Sequence, residues 1–177
     1  MSKLNATAII AARANSKGIK NKNLQNINKK NLVQISIEQS LRTCETVILS
    51  SDSAEINEIG RQYNGVFIID RSAELAKDET PKLPVLRNAI EIYEKEVGEC
   101  SDTIFDLQPT SPFRKDDSIL KSFELFQKYV DSTNLVSISL TSFHPSYNLL
   151  EFKENNEVEL LNKTAKPITG RNMLPDT

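Results

Sequence analysis

The chain has 177 residues, of which 38% are hydrophobic and 26% are charged. This composition fits one folded domain with a buried core, and it excludes a disordered tail, a coiled coil and a collagen-like chain. Its 22 basic and 24 acidic residues give a formal net charge of −2, whereas a nucleic-acid binder should carry a basic excess. The apolar runs are only strand-sized, and the first residues lack the apolar core of a signal peptide. We therefore expect a cytoplasmic protein that binds neither nucleic acid nor a membrane.

Strand-like and helix-like segments alternate along most of the chain. Short continuous apolar runs predict buried strands, and apolar residues spaced three or four apart predict helices. In chain order, the predicted elements are strand Ala6–Ala12, helix Leu32–Thr43, strand Thr46–Ser50, helix Ala54–Tyr63, strand Gly65–Ile69, helix Pro81–Val97, strand Thr103–Leu107, helix Asp116–Val130 and strand Leu135–Leu140. Asn31 is the predicted N-cap of the first helix. This alternation predicts an α/β fold with right-handed crossovers and a mostly parallel sheet.

The pattern changes after residue 143. Leu149–Phe152 and Val158–Leu161 flank the turn-like segment Glu154–Asn156, which predicts a β-hairpin. We divide the chain into an α/β domain over residues 1–142 and a hairpin-containing arm over residues 143–177. The apolar hairpin needs a surface to bury against.

The loop Arg13–Asn23 is the most informative segment for function. It places four cations and several small polar residues directly after the first buried strand, and ligands of a parallel sheet bind outside the carboxyl ends of its strands. Cations together with backbone N–H groups suit a polyphosphate, although a solvated basic loop is the alternative interpretation. The loop lacks the GxxxxGK[ST] and GxGxxG patterns, and the latter absence argues against a dinucleotide-dependent oxidoreductase.

Two further loops follow predicted strands. Leu107–Arg114 contains two prolines that stiffen the turn, and its polar side chains suit a small polyhydroxy ligand. Arg71–Thr80 is a long polar connection. Taken alone, the first would be interpreted as a proline turn before a helix and the second as a surface loop.

Metal and nucleophile chemistry find little support in the sequence. His144 is the only histidine, and no His/Cys/Asp cluster accompanies it, so we assign no metal ligand. No GxSxG elbow accompanies it either, which gives no support to Ser-His-Asp catalysis.

Three motifs occur in a recognisable order: AIIAARANSKGIKNKNL (Ala8–Leu24), RSAELAKD (Arg71–Asp78) and LQPTSPFR (Leu107–Arg114). Together they resemble the acylneuraminate cytidylyltransferases, also called CMP-sialic acid synthetases, over essentially the whole chain from about residue 6. The resemblance implies a Rossmann-like three-layer fold, Mg²⁺ as cofactor, and a homodimer in which the arm packs against a second subunit. It also implies the reaction, in which an acidic nine-carbon sugar of the sialic or legionaminic type attacks the α-phosphorus of CTP and yields a CMP-sugar and pyrophosphate.

The same resemblance assigns site residues. Those matching the family's nucleotide-binding positions are Arg13, Ser16, Lys17, Lys22, Asn23, Arg71 and Thr80. Arg13 and Lys22 are assigned to catalysis at the triphosphate, because fixed cations can offset the charge of the departing pyrophosphate. Those matching the sugar-facing motif are Gln108, Thr110 and Ser111.

The chain departs from the family in its C-terminal part. Family members continue further and carry an Asp-x-Asp-type metal pair there, whereas we can assign no such pair in this sequence; Asp52 and Asp106 end predicted strands but do not match it. We therefore expect weak or absent catalysis by this chain alone, and a non-catalytic nucleotide-binding or dimerising homologue is the alternative. A cytidylyltransferase for the eight-carbon sugar Kdo ranks lower, since its first motif lacks S-K-G-x-x-x-K-N. Lys82 stands where the family usually has a small hydroxyl residue, close to the assigned Thr80.

Overall fold

A computed structural model describes residues 3–14, 18–77, 79–138, 150–152 and 158–160. The chain divides into two compact units, Met1–Thr133 and Asn134–Thr177. The boundary predicted between residues 142 and 143 lies outside the described residues, so it stays a prediction.

A parallel sheet of four strands forms the centre of the first unit. Its strands are β1 (Leu4–Ala11), β4 (Cys44–Ser51), β5 (Val66–Asp70) and β6 (Ile104–Asp106), in the order β5-β4-β1-β6. Two short strands, β2 (Asn26–Ile27) and β3 (Lys30–Asn31), pair antiparallel in a separate ribbon. The first four predicted strands are confirmed, and so is the mostly parallel sheet.

Four α-helices connect or follow these strands: α1 (Leu32–Thr43), α2 (Ala54–Arg61), α3 (Lys82–Glu96) and α4 (Asp116–Lys128). All four predicted helices are confirmed. Pro81, expected in the first turn of its helix, is instead the N-cap of α3.

The sheet is covered on both faces, because neighbouring residues of a strand point to opposite sides. Ile10 packs with Val33 and Ile37 of α1 and with Ile56 of α2. The next residue along the strand, Ile9, packs instead against α3 in a cluster that contains Ala89. Ala8, on the same face as Ile10, shares a cluster with Ile119 of α4. The first unit is therefore a three-layer α/β structure with α1, α2 and α4 on one face and α3 on the other.

The fifth predicted strand, Leu135–Leu140, is wrong over the residues that can be compared. Residues 135–138 adopt no regular structure, and Val136 and Ile138 are 72% and 88% exposed; residues 139 and 140 lie outside the described ranges. An apolar β-branched segment forms a strand only where a neighbouring strand accepts and donates its main-chain hydrogen bonds. Among the described residues, no such neighbour pairs with this segment.

The second unit contains the predicted hairpin strands. β7 (Leu150–Phe152) and β8 (Val158–Leu160) pair antiparallel, with Leu150 opposite Leu160. Their pairing is confirmed, whereas the predicted turn at Glu154–Asn156 and the end of the second strand at Leu161 lie outside the described residues. Among the helices that the structure describes, none is both long and apolar enough to cross a membrane.

Helix α1 begins at a reciprocal capping arrangement. The side-chain Oδ1 of Asn31 accepts a hydrogen bond of 2.8 Å from the main-chain N–H of Gln34, and Oε1 of Gln34 accepts one of 3.0 Å from the N–H of Asn31. Two main-chain donors that the helix leaves without partners are thereby satisfied. The predicted N-cap is confirmed.

We expect Asn31→Ala to lower the free energy of unfolding by about 1 kcal/mol, because alanine cannot accept the Gln34 N–H. Urea denaturation followed by circular dichroism measures this loss. The matched control is Asn64→Ala at an exposed turn position, where we expect a change within about 0.5 kcal/mol. Equal effects of the two substitutions would contradict the capping role.

Candidate functional site

A cavity of about 220 Å³ lies at the carboxyl end of the parallel sheet. The sheet order reverses between β1 and β6, since the chain proceeds from β1 outward to β4 and β5 and then returns to the other side of β1. At such a point the loops following neighbouring strands diverge and leave a crevice. The cavity is lined by Ala11, Arg13, Lys22, Asn23, Arg71, Leu75, Ala76, Lys77, Thr80, Lys82, Val85, Gln108, Pro109 and Thr110.

Most of the residues assigned from the sequence meet at this cavity. Those that line it are Arg13, Lys22, Asn23, Arg71, Thr80, Gln108 and Thr110. Ser111 does not line it; its main-chain N–H donates to the carbonyl of Gln108 at 3.2 Å. Ser16 and Lys17 lie outside the described residues. The binding roles of all these residues stay predictions, although the structure gathers seven of them in one place.

The cavity wall is strongly cationic. Its described lining includes five cations and no carboxylate: Arg13, Lys22, Arg71, Lys77 and Lys82. Arg71 contacts Asp52 and Lys82 contacts Asp106, and neither of these carboxylates lines the cavity. A lining rich in cations is chemically suited to a polyanion.

Arg71 is the most buried of these cations. Its main-chain N–H donates to the carbonyl of Ser51 at 2.9 Å, which extends the β4–β5 ladder beyond the end of β5 and fixes the residue at the sheet edge. The side chain is 5% exposed, and its Nη2 lies 3.4 Å from Oδ1 of Asp52. Burial lowers the pKa of Arg71, the carboxylate of Asp52 opposes this, and the nearby charge of Arg13 lowers the pKa further.

One nitrogen of Arg71 lacks a partner. Its Nε is buried without a hydrogen bond to any described residue. A buried donor without an acceptor is costly, particularly on a charged group. An anionic ligand in the cavity would supply a countercharge to the guanidinium.

Asp52 connects two of the loops around the cavity. Its Oδ1 accepts a hydrogen bond of 2.9 Å from the main-chain N–H of Ala14, in addition to the contact with Arg71. The carboxylate therefore holds the loop after β1 and the residue after β5 against the end of β4.

Asn23 folds the first loop back on itself. It lies in the short 3₁₀ helix Lys22–Leu24, which follows Asn21 in a left-handed conformation at φ 49°. The side chain is buried, and its Nδ2 donates to the carbonyl of Arg13 at 3.0 Å. This bond places Arg13 and Lys22 on the same wall of the cavity.

A second part of the lining, the polar wall formed by residues 108–110, carries neutral groups. Gln108 and Thr110 are exposed, and Pro109 between them is buried. Asp106 lies beneath this wall: its Oδ1 is 2.8 Å from Nζ of Lys82, and its Oδ2 accepts a bond of 3.3 Å from Nε2 of Gln108. Thr80 uses its hydroxyl to close its own loop, donating to the carbonyl of Glu74 at 3.0 Å.

The described residues do not fit the expected Mg²⁺. Among them, no group of three His, Cys, Asp or Glu side chains could hold a metal ion. The described carboxylates at this sheet edge already have partners: Asp52 contacts Arg71, Asp106 contacts Lys82, and Asp70 contacts Asn57 and Arg61. Mg²⁺ sites in proteins are built on carboxylate oxygens.

Sequence reasoning assigned no role to Asp52, Asp106 or Lys77, and it treated Lys82 only as a departure from the family pattern. Lys77 could have been identified from the sequence, since it lies in the motif RSAELAKD directly after a predicted strand. Asp52 and Asp106 lie at the ends of two predicted strands, but their pairing with cations depends on strand order, which the sequence does not specify.

Comparisons with known proteins agree with this geometry. A family model described as cytidylyltransferase matches residues 7–167. Post-translational flagellin modification protein B of Campylobacter coli is 35% identical over 153 residues, which cover 85% of this chain and 64% of that protein. A CMP-N,N'-diacetyllegionaminic acid synthase of Campylobacter jejuni is 38% identical over 105 residues, covering 58% of this chain and 45% of the relative. The chain thus spans less than two thirds of the length of these relatives.

A solved structure shares the fold. It is that of a CMP:2-keto-3-deoxy-manno-octonic acid synthetase complexed with CTP, with a TM-score of 0.55 at 19% identity, covering 73% of this chain and 49% of that one. This likeness supports the predicted Rossmann-like α/β architecture. With the family model matching 7–167 and the three sequence motifs in place, the chain belongs to the cytidylyltransferase family.

Proposed function

We propose that this chain forms the nucleotide-binding part of a transferase that joins CMP from CTP to an acidic nine-carbon sugar. The observation that carries the proposal is the cavity itself, whose lining combines five cations with neutral polar side chains at the carboxyl edge of the sheet. Relatives named for legionaminic, neuraminic and pseudaminic acids support this sugar class.

In this proposal the cations bind the triphosphate of CTP. Arg13 and Lys22 reach it from the loop after β1, Lys77 reaches it from the loop after β5, and Arg71 adds its positive charge from the end of β5. A hydroxyl of the sugar loses its proton to water and forms a bond to the α-phosphorus, the bond from that phosphorus to the bridging oxygen breaks, and pyrophosphate leaves. Positively charged side chains stabilise the charge that accumulates on the leaving group, which is the principal requirement of such a transfer.

The neutral wall suits the second substrate. Gln108 and Thr110 offer both donors and acceptors without adding charge, which matches the hydroxyl and amide groups of an N-acylated sugar. Lys82 also lines the cavity, and its ammonium group pairs with Asp106 at 2.8 Å.

A non-catalytic role in nucleotide binding or dimerisation is the second candidate. The assay of pyrophosphate release given below distinguishes it from the transferase. The Mg²⁺ requirement, the homodimer and the cytoplasmic location stay predictions.

We expect CTP to raise the melting temperature, because a ligand that binds only the folded state stabilises it.

Lys22→Met should weaken CTP binding about fivefold, equivalent to ~1 kcal/mol for a partly exposed charge. Titration calorimetry measures the CTP affinity of the unsubstituted chain and of Lys22→Met. Lys95→Met, on the exposed end of α3, is the charge-matched control. Inorganic tripolyphosphate binding as tightly as CTP would show that only the phosphates are recognised.

We also expect slow pyrophosphate release that depends on the sugar when the chain is given CTP, Mg²⁺ and N-acetylneuraminate, N,N'-diacetyllegionaminate or pseudaminate. Each pyrophosphate should be matched by one CMP-sugar detected by mass spectrometry, and EDTA should stop the release. CTP binding without release under any of these conditions would support the non-catalytic candidate. Absence of both binding and release would contradict the proposed function.

A further inference from the structure

The polar wall of the cavity is fixed from behind by a side chain of another element. Gln39 on α1 is 4% exposed, and it exchanges two hydrogen bonds with Arg114. Nε2 of Gln39 donates to the carbonyl of Arg114 at 2.7 Å, and Nη1 of Arg114 donates to Oε1 of Gln39 at 2.8 Å. Both the main chain and the guanidinium of Arg114 are therefore positioned by one buried amide.

The other terminal nitrogen of Arg114 reaches the cavity wall. Its Nη2 donates to the main-chain carbonyl of Gln108 at 2.9 Å, and Gln108 lines the cavity. The guanidinium thus connects α1 to the beginning of the wall. The side chain of Gln108 is held separately, through its bond to Asp106.

The network closes on α4. Gln39 Nε2 also donates to Oδ1 of Asp116 at 3.0 Å, and Arg42 binds the same carboxylate through Nε at 2.7 Å and Nη2 at 3.1 Å. The hydrogen bond from Arg42 is the main reason that the pKa of Asp116 lies below its ordinary value. Arg42 therefore shares the network with Arg114, but none of its described hydrogen bonds goes to the cavity wall.

We infer that Arg114, held by Gln39, is a positioning residue that fixes the main chain at Gln108, and with it the polar wall, for the second substrate. The inference rests on the proposed function, in which this wall faces the sugar. A planar guanidinium can donate to Gln39 and Gln108 in two directions at once, whereas a lysine ammonium presents a compact point charge and cannot reproduce this fork. Displacement of a substrate-positioning group by about 1 Å can cost on the order of a hundredfold in rate.

Hydrogen exchange tests whether Arg114 orders the wall. Arg114→Lys keeps the positive charge but removes the guanidinium. Gln39→Leu removes the amide that holds Arg114 and leaves the Arg114 residue itself unchanged. We expect amide exchange over residues 107–111 to accelerate about tenfold in both variants, as local opening becomes easier, with β1 unchanged. Arg42→Lys is the matched control, and in this variant the amide exchange rates of residues 107–111 should equal those of the unsubstituted chain. Unchanged exchange in Arg114→Lys would overturn the inference.

Kinetics test the consequence for the sugar. In the pyrophosphate-release assay we expect Arg114→Lys to raise the KM for the sugar about tenfold and to leave the KM for CTP within about twofold, because the cationic wall is untouched. Equal losses for both substrates would indicate a general structural defect and overturn the positioning role. If the unsubstituted chain releases no pyrophosphate, the proposed function fails, and the exchange experiment still decides whether Arg114 orders the wall.

Discussion

Repulsion among cations crowded around one cavity is the constraint to which the surrounding structure responds. Burial lowers the pKa of Arg71, and the nearby charge of Arg13 lowers it further. Such an arrangement is unfavourable without countercharges, and the fold supplies two of them from strand ends: Asp52 after β4 and Asp106 in β6. These carboxylates lie behind the cations, so the positive charge still faces the cavity.

Asp52 and Asp106 pair with the protein's own cations, and among the described residues no group of three His, Cys, Asp or Glu side chains could hold a metal ion. In this part of the chain, acidic groups organise the protein's own charges, and the cavity presents cations and neutral polar groups to a ligand.

Periodicity was sufficient to predict most of the fold. The apolar run ending at Ala12 indicated a buried strand, and the apolar spacing in Leu32–Thr43 indicated a helix; both are confirmed. Leu135–Leu140 had the same apolar character, yet residues 135–138 form no strand, because strand formation also requires a hydrogen-bonding neighbour that composition does not reveal.

The site was predictable only to the extent that its residues follow strands in short motifs. Arg13, Arg71 and Gln108 were identifiable because each lies in a loop that begins at the carboxyl end of a strand. Gln39 was not, since it sits in the middle of a helix and meets Arg114 from 75 positions away in the chain. Contacts of that kind depend on how α1 packs beside the loop before α4, which no local pattern encodes.

The double use of Asp52 has a thermodynamic consequence. One oxygen, Oδ1, receives both the Ala14 amide and the Arg71 guanidinium, so the two segments share a single anchor. When a ligand orders one of these segments, the shared anchor partly orders the other as well. The entropic cost of ordering the two segments is therefore not incurred twice. Contacts made by separate parts of the same ligand should accordingly reinforce each other, giving an affinity greater than their independent contributions would sum to.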